Sequence, residues 1–316
     1  MWFVYALITT LAWGAADLFY KKGADEKDRY SHLKTSMIVG FIMGGHAIAT
    51  MIISGVDYNW INLVKYLPVS MMYILSMTVG YFGLRYLELS ISSPIQNSSG
   101  AVSCILCLLI LGQTMDILSG VAVVLICLGV FALGLLERIA LKKERNLKSA
   151  DDKAADRKYR ISLIAFMMPV LYCIIDALGT FFDAYYLDDF ETTPLVDVTE
   201  DTLENVANIS YELTFLICGV LIFIFLVFIK KQKIGISGQK SRGIAAVLET
   251  AGQTFYVYAM SGNGVVAAPM IASYSIVSLI LSRLFLKEKL TKLQYTAVLV
   301  VIVGIAMLGI VEGLDA

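Results

Sequence analysis

Two aspartates occupy matching settings in this chain. Trp13-Gly-Ala-Ala-Asp17 and Tyr172-Cys-Ile-Ile-Asp176 each place an aromatic residue four positions before a carboxylate, inside a long apolar run. On a helix, residues four apart share a face, so each ring lies beside its acid. An ionisable side chain at membrane depth costs ~2.5–3.5 kcal/mol and is a functional candidate by default. A carboxylate against a ring suits an organic cation, because the charge pairs with the acid and the ring adds a cation–π contact. The plainer reading has these acids capping helix ends or sitting in the headgroup zone, and Asp17 is only four residues from Lys21.

Glu249 is a third stranded acid. Gln253 and Tyr256 follow it at i+4 and i+7 on one face, with Tyr258 more loosely placed. Two further polar groups open apolar segments: Gln96-Asn97-Ser98-Ser99 after Pro94, and Ser273-Tyr274-Ser275 after Pro269. A proline removes a backbone hydrogen bond and loosens its helix, so these groups are expected to border one central cavity. Small-residue helix packing accounts for the serines nearly as well. The candidate substrate-binding set is Trp13, Asp17, Tyr81, Gln96, Asn97, Tyr172, Asp176, Glu249, Gln253, Tyr256 and Tyr274. Asp17, Asp176 and Glu249 are the candidates for proton coupling.

The elements that must position these residues follow from composition. Of 316 residues, 58% are hydrophobic and 16% charged, with mean hydropathy +0.74. A soluble domain is about 45–50% apolar and about 25% charged, so this chain lacks the polar residues to cover soluble domains. Ten apolar segments can be read, near 2–20, 32–53, 66–87, 91–111, 116–136, 161–186, 211–229, 242–261, 264–286 and 293–312. In lipid, each must satisfy its own backbone and is therefore a helix. The expected fold is an all-α polytopic membrane protein. The first segment has no basic region before it and reads as a retained helix, not a signal peptide.

The net charge of −1 conceals a strong polarity. Loops 1–2, 3–4, 5–6, 7–8 and 9–10 carry 24 of the 25 basic residues, and Lys65 alone lies opposite. The positive-inside rule makes that basic face cytoplasmic and both termini extracytoplasmic, in a plasma-membrane location. Residues 138–160 form a basic linker, and the acidic loop 187–210 falls outside.

Other motifs carry less. Cys104-x-x-Cys107 lacks a second ligand pair, and all five cysteines fall in apolar runs. Gly235-Ile-Ser-Gly-Gln-Lys240-Ser has the wrong spacing for a phosphate loop and follows no strand. His46 alone is no metal site and reads better as an interhelical hydrogen-bond partner than as a proton relay. Gly40-x-x-x-Gly44 leaves a homodimer open, although internal close packing is preferred. No cofactor or metal is expected, the basic loops read as topogenic signals and not as nucleic-acid sites, and no catalytic constellation appears.

An internal repeat is the most informative pattern. At an offset of 175, Tyr81 meets Tyr256, Pro94 meets Pro269, Ser98 meets Ser273, Gly129 meets Gly304 and Glu137 meets Glu312. Trp13 and Asp17 meet Tyr172 and Asp176 at an offset of 159, the acidic insertion accounting for the difference. Residues 1–137 and 161–316 are thus two five-helix repeats. Five is odd, so the second half runs inverted. Consistently, loop 4–5 (112–116) has no basic residue, whereas its counterpart 287–291 is basic. Inverted repeats are a device of secondary transporters.

Two five-helix halves, Ala12-Trp13-Gly14, the paired prolines and Leu286-Lys-Glu-Lys-Leu290 before a glycine-spaced last helix together resemble the drug/metabolite transporter superfamily, in particular its EamA-type domain. The resemblance covers nearly the whole chain apart from loop 6–7. It implies a secondary carrier of a small metabolite, working in the lipid bilayer by alternating access without ATP hydrolysis. Two departures stand out: many relatives have cytoplasmic termini, and Gln113 stands where the family shows glutamate. An amine or quaternary ammonium substrate fits the paired acids and rings. The alternatives are an amino-acid or anion carrier using Arg85 or Arg283, and a scaffold or sensor acting through loop 187–210.

Overall fold

The computed structural model describes residues 1–25, 27–83, 96–147, 163–286 and 291–315. Arg85, Pro94 and most of linker 138–160 lie outside them, as does Lys287-Glu-Lys-Leu290. All regular structure among the described residues is helical: α1 (Trp2–Gly23), α2 (Ser31–Ser54), α3 (Ile61–Lys65), α4 (Leu67–Gly83), α5 (Ser99–Leu106), α6 (Ile117–Leu147), α7 (Leu163–Leu187), α8 (Leu203–Ile224), α9 (Lys240–Ala272), α10 (Tyr274–Leu286) and α11 (Lys292–Asp315). Single π turns, Cys107–Leu111 and Phe225–Ile229, extend α5 and α8.

Among the described residues, seven helical stretches are long and apolar enough to cross a membrane. One of them, Lys240–Phe285, is 46 residues long and breaks at Asn263, whose φ of −167° and ψ of 76° are non-helical. That break separates two crossings where the eighth and ninth segments were expected to part. With the shorter apolar helices Leu67–Gly83 and Ser99–Leu111, the count reaches ten.

Two boundaries differ from expectation. Helix α8 starts at Leu203, not 211, because Leu203, Val206, Ala207 and Ile209 are buried apolar residues and Glu204 favours a helix N-terminus. The acidic loop therefore spans 188–202. Helix α6 runs on to Leu147, so the basic linker begins as helix.

Several helix contacts come in pairs that correspond at the expected repeat offset. Helix α1 packs on α9 and α10, and its counterpart α7 packs on α4 and α5; α2 packs on α9, and α8 on α4. The contacts α2–α8 and α6–α11 each join a helix to its expected counterpart. Residue detail agrees: a Cβ on Gly129 would strike Val301 and the Ala297 carbonyl, and one on Gly304 would strike Ile126 and the Ala122 carbonyl. Each of those neighbours is the other's partner at an offset of 175.

Gly40 and Gly44 pack inside the bundle, against the Phe215 carbonyl and the Leu216 side chain. Loop 188–202 folds over α3. Lys65 donates to the Pro194 carbonyl at 2.7 Å, Asn62 exchanges two 2.9 Å bonds with Val196, and Asn59 donates to Asp197 at 2.6 Å. At the other face, Arg242 donates to Ser31 and Thr35 at 2.8 and 3.2 Å.

Candidate functional site

A cavity of about 80 Å³ lies mid-bundle between the halves, room for roughly half a dozen waters. Ten of the eleven candidate residues line it: Trp13, Asp17, Tyr81, Gln96, Tyr172, Asp176, Glu249, Gln253, Tyr256 and Tyr274. Asn97 is buried beside the cavity but is not among its lining residues. Gln96, Ser99 and Gly100 face inward at i, i+3 and i+4. Asn97 and Ser98 form a turn between Gln96 and α5, which sets Asn97 off that lining. Ser98, Ser273 and Ser275 are likewise off the lining, and Tyr258 instead donates to Asn205 at 3.1 Å.

The paired acids are held alike. Asp17 accepts the Ser278 hydroxyl at 2.8 Å; Asp176 accepts those of Ser99 at 2.7 Å and Ser76 at 3.2 Å. Helix α10 serves the first acid and its repeat counterpart α5 the second. Neither acid caps a helix end.

Trp13 is clamped from three sides. Its indole N–H donates to the Glu249 carbonyl at 3.2 Å. Its ring stacks on Tyr256 at 5.1 Å and 28°, and meets Tyr274 edge-on at 6.0 Å and 82°. Tyr20 and Tyr81 pack at 4.8 Å on another wall. Gln253 Nε2 is buried with no hydrogen-bond partner.

Several lining residues escaped the sequence reading: Tyr20, Tyr73, Thr180 and Tyr211. Tyr20 follows Asp17 at i+3 and Thr180 follows Asp176 at i+4, so extending the acid-bearing faces finds both. Nothing local singles out Tyr73 or Tyr211, which arrive from other helices.

The cavity carries three carboxylates and eight aromatic rings, with no Lys, Arg or His among its described lining residues. Arg283 lies over the Tyr295 ring at 4.8 Å, away from the lining. His46 meets Glu212 at 2.8 Å between α2 and α8, also off the lining. No three His, Cys, Asp or Glu side chains among the described residues are grouped to hold a metal.

The family model described as "EamA-like transporter family" matches residues 1–135 and 211–310. No curated protein sequence gives a match. One solved crystal structure superposes with a TM-score of 0.64 at 11% identity, over 99% of this chain and 98% of that one. At that identity the likeness is one of fold.

Proposed function

The chain belongs to the EamA-like transporter family, and on that premise we propose that it carries a small organic cation, an amine or quaternary ammonium compound, by alternating access. The observation that carries this reading is the cavity's composition: Asp17, Asp176 and Glu249 among eight aromatic rings, without a basic side chain on the described lining. A cation moved out of water needs a compensating charge; the three acids supply it, and Trp13, Tyr81 and Tyr172 add ring faces.

The same acids would couple transport to protons. Each carboxylate can hold either a proton or the charge of a bound cation, so the two would compete for the same groups. Substrate entering would displace a proton, and a proton entering from the other side would release substrate. The two halves would rock about the α2–α8 and α6–α11 contacts, as inverted repeats do.

In membrane orientation, the basic loops would face the cytoplasm of a plasma-membrane protein and loop 188–202 the exterior. An anion carrier draws no support from Arg283, which is engaged with Tyr295; Arg85 lies outside the described residues. A scaffold acting through loop 188–202 would lose its output when residues 190–202 are deleted, whereas a carrier keeps its flux.

A ligand panel read by thermal shift on purified protein tests the substrate class. A ligand at about 100 times its Kd stabilises by ~2.7 kcal/mol. Quaternary and primary amines should raise Tm; stabilisation by carboxylates alone would overturn the reading.

A further inference from the structure

Asp183 has no part in the cavity and is completely buried. Tyr66 donates its hydroxyl to Oδ1, and the Tyr73 and Tyr256 hydroxyls also bear on the carboxyl, although Oδ2 has no hydrogen bond of good geometry. A carboxylate fully out of water is costly even among hydroxyls, so packing alone does not explain its place. It stands seven residues after Asp176 on the same helix, hence on the same face and about 10.5 Å further along the axis. Between the two acids lies a layer of hydroxyls: Tyr73 meets Tyr256 at 2.6 Å and Thr180 at 3.0 Å. Tyr186 packs edge-on against Tyr66 at 5.3 Å, and the Tyr186 hydroxyl donates to the Lys65 carbonyl, just beneath loop 188–202.

Resting on the organic-cation reading, we infer that Asp183 is a second cation-binding station, on the path between the central cavity and the face covered by loop 188–202. Its surroundings repeat the cavity's chemistry, a carboxylate among tyrosine rings. When the Tyr73–Tyr256 layer parts, an ammonium leaving Asp176 finds the next carboxylate two helical turns on. Its charge then replaces the tyrosine hydroxyls on that carboxylate. The layer separates two sites, so cation traffic is sequential.

The test uses tetramethylammonium as probe and the full-length protein in sided vesicles. Asp183→Asn keeps an acceptor for Tyr66 and removes the charge. The expected result is a KM raised at least tenfold from the loop face, with the KM from the opposite face and the equilibrium Kd unchanged within twofold. A merely structural Asp183 moves both faces together or neither, which would overturn the inference. Should Asp183→Asn not fold, Tyr66→Phe decides: freeing the carboxylate lowers the loop-face KM at least threefold, and an unchanged value overturns it. A native chain that neither binds nor takes up tetramethylammonium contradicts the organic-cation reading itself, and this station with it.

Discussion

Gly252 passes so close to Trp13 that a β-carbon there would overlap the indole ring. The same segment accepts the Thr9 hydroxyl at 3.1 Å, so neither helix can withdraw freely. The indole position in the cavity is therefore set by a missing side chain. Gly252→Ala should displace the ring, cost about 1–3 kcal/mol in overpacking and weaken tetramethylammonium binding at least tenfold. Calorimetric titration beside a Tm measurement separates the two effects. Binding at native affinity would show that Trp13 is not a wall of the site.

Trp13→Phe keeps a smaller ring, whereas Trp13→Leu removes the π face. A cation–π contact away from water is worth about 0.5–2 kcal/mol. The leucine variant should lose roughly 2- to 30-fold in affinity for a quaternary ammonium, and the phenylalanine variant less. Equal losses would assign the indole to packing.

Ser99 and Ser278 test whether the two acids are equivalent. Hydrogen bonds to charged groups contribute about 1.5–3 kcal/mol. Ser278→Ala removes the 2.8 Å hydroxyl from Asp17, and Ser99→Ala removes the 2.7 Å hydroxyl from Asp176. With equivalent roles for the acids, the two variants should perturb the pH dependence of uptake to a similar extent, and an effect confined to one variant would contradict that equivalence.

The symmetry itself is testable at Gly129 and Gly304. Each faces the residue that corresponds, at the repeat offset, to the other's neighbour. Alanine at either should cost about 1–3 kcal/mol, and the two losses should agree to within ~1 kcal/mol. Chemical unfolding in mild detergent measures both.

A polar contact at the basic face gives a pH signature. Burial pushes the Asp28 carboxyl up, but the Lys34 ammonium at 2.7 Å, the Tyr30 amide at 2.9 Å and the Lys34 charge together outweigh it and hold Asp28 below the usual carboxylate range. A lowered pKa contributes stability that is complete above about pH 4 and is lost as pH falls through the lowered value. Asp28→Asn should cost about 0.2–1 kcal/mol at pH 7, and the difference in Tm from the native chain should close in acid.

Much of this was legible in the sequence because membrane segments encode position through composition. The segment break at residues 262–263 reappears as the non-helical Asn263. The acids with aromatics at i−4 share faces that turn inward. The repeat offsets recur in the Gly129 and Gly304 contacts. What escaped has physical reasons. Asn97 sits in a polar run whose members are alike in sequence, and the turn at residues 97–98 separates it from Gln96 and Ser99. Asp183 lies near the end of its helix, where a carboxylate is unremarkable by composition; tertiary packing, with Tyr66, Tyr73 and Tyr256 around it, makes it a buried group. Tyr73 and Tyr211 reach the cavity from distant helices, and no spacing in the sequence announces that.

The central claim is that three acids in an aromatic cavity carry an organic cation in exchange for protons. The most direct measurement is uptake of radiolabelled tetramethylammonium into proteoliposomes with an imposed pH gradient, comparing the native protein with the variant Asp17→Asn, Asp176→Asn, Glu249→Gln. The native chain should accumulate the cation as protons flow the other way, and the variant should show at most background uptake at every pH. Uptake by the variant at the native rate, with the same dependence on the gradient, would contradict the assignment.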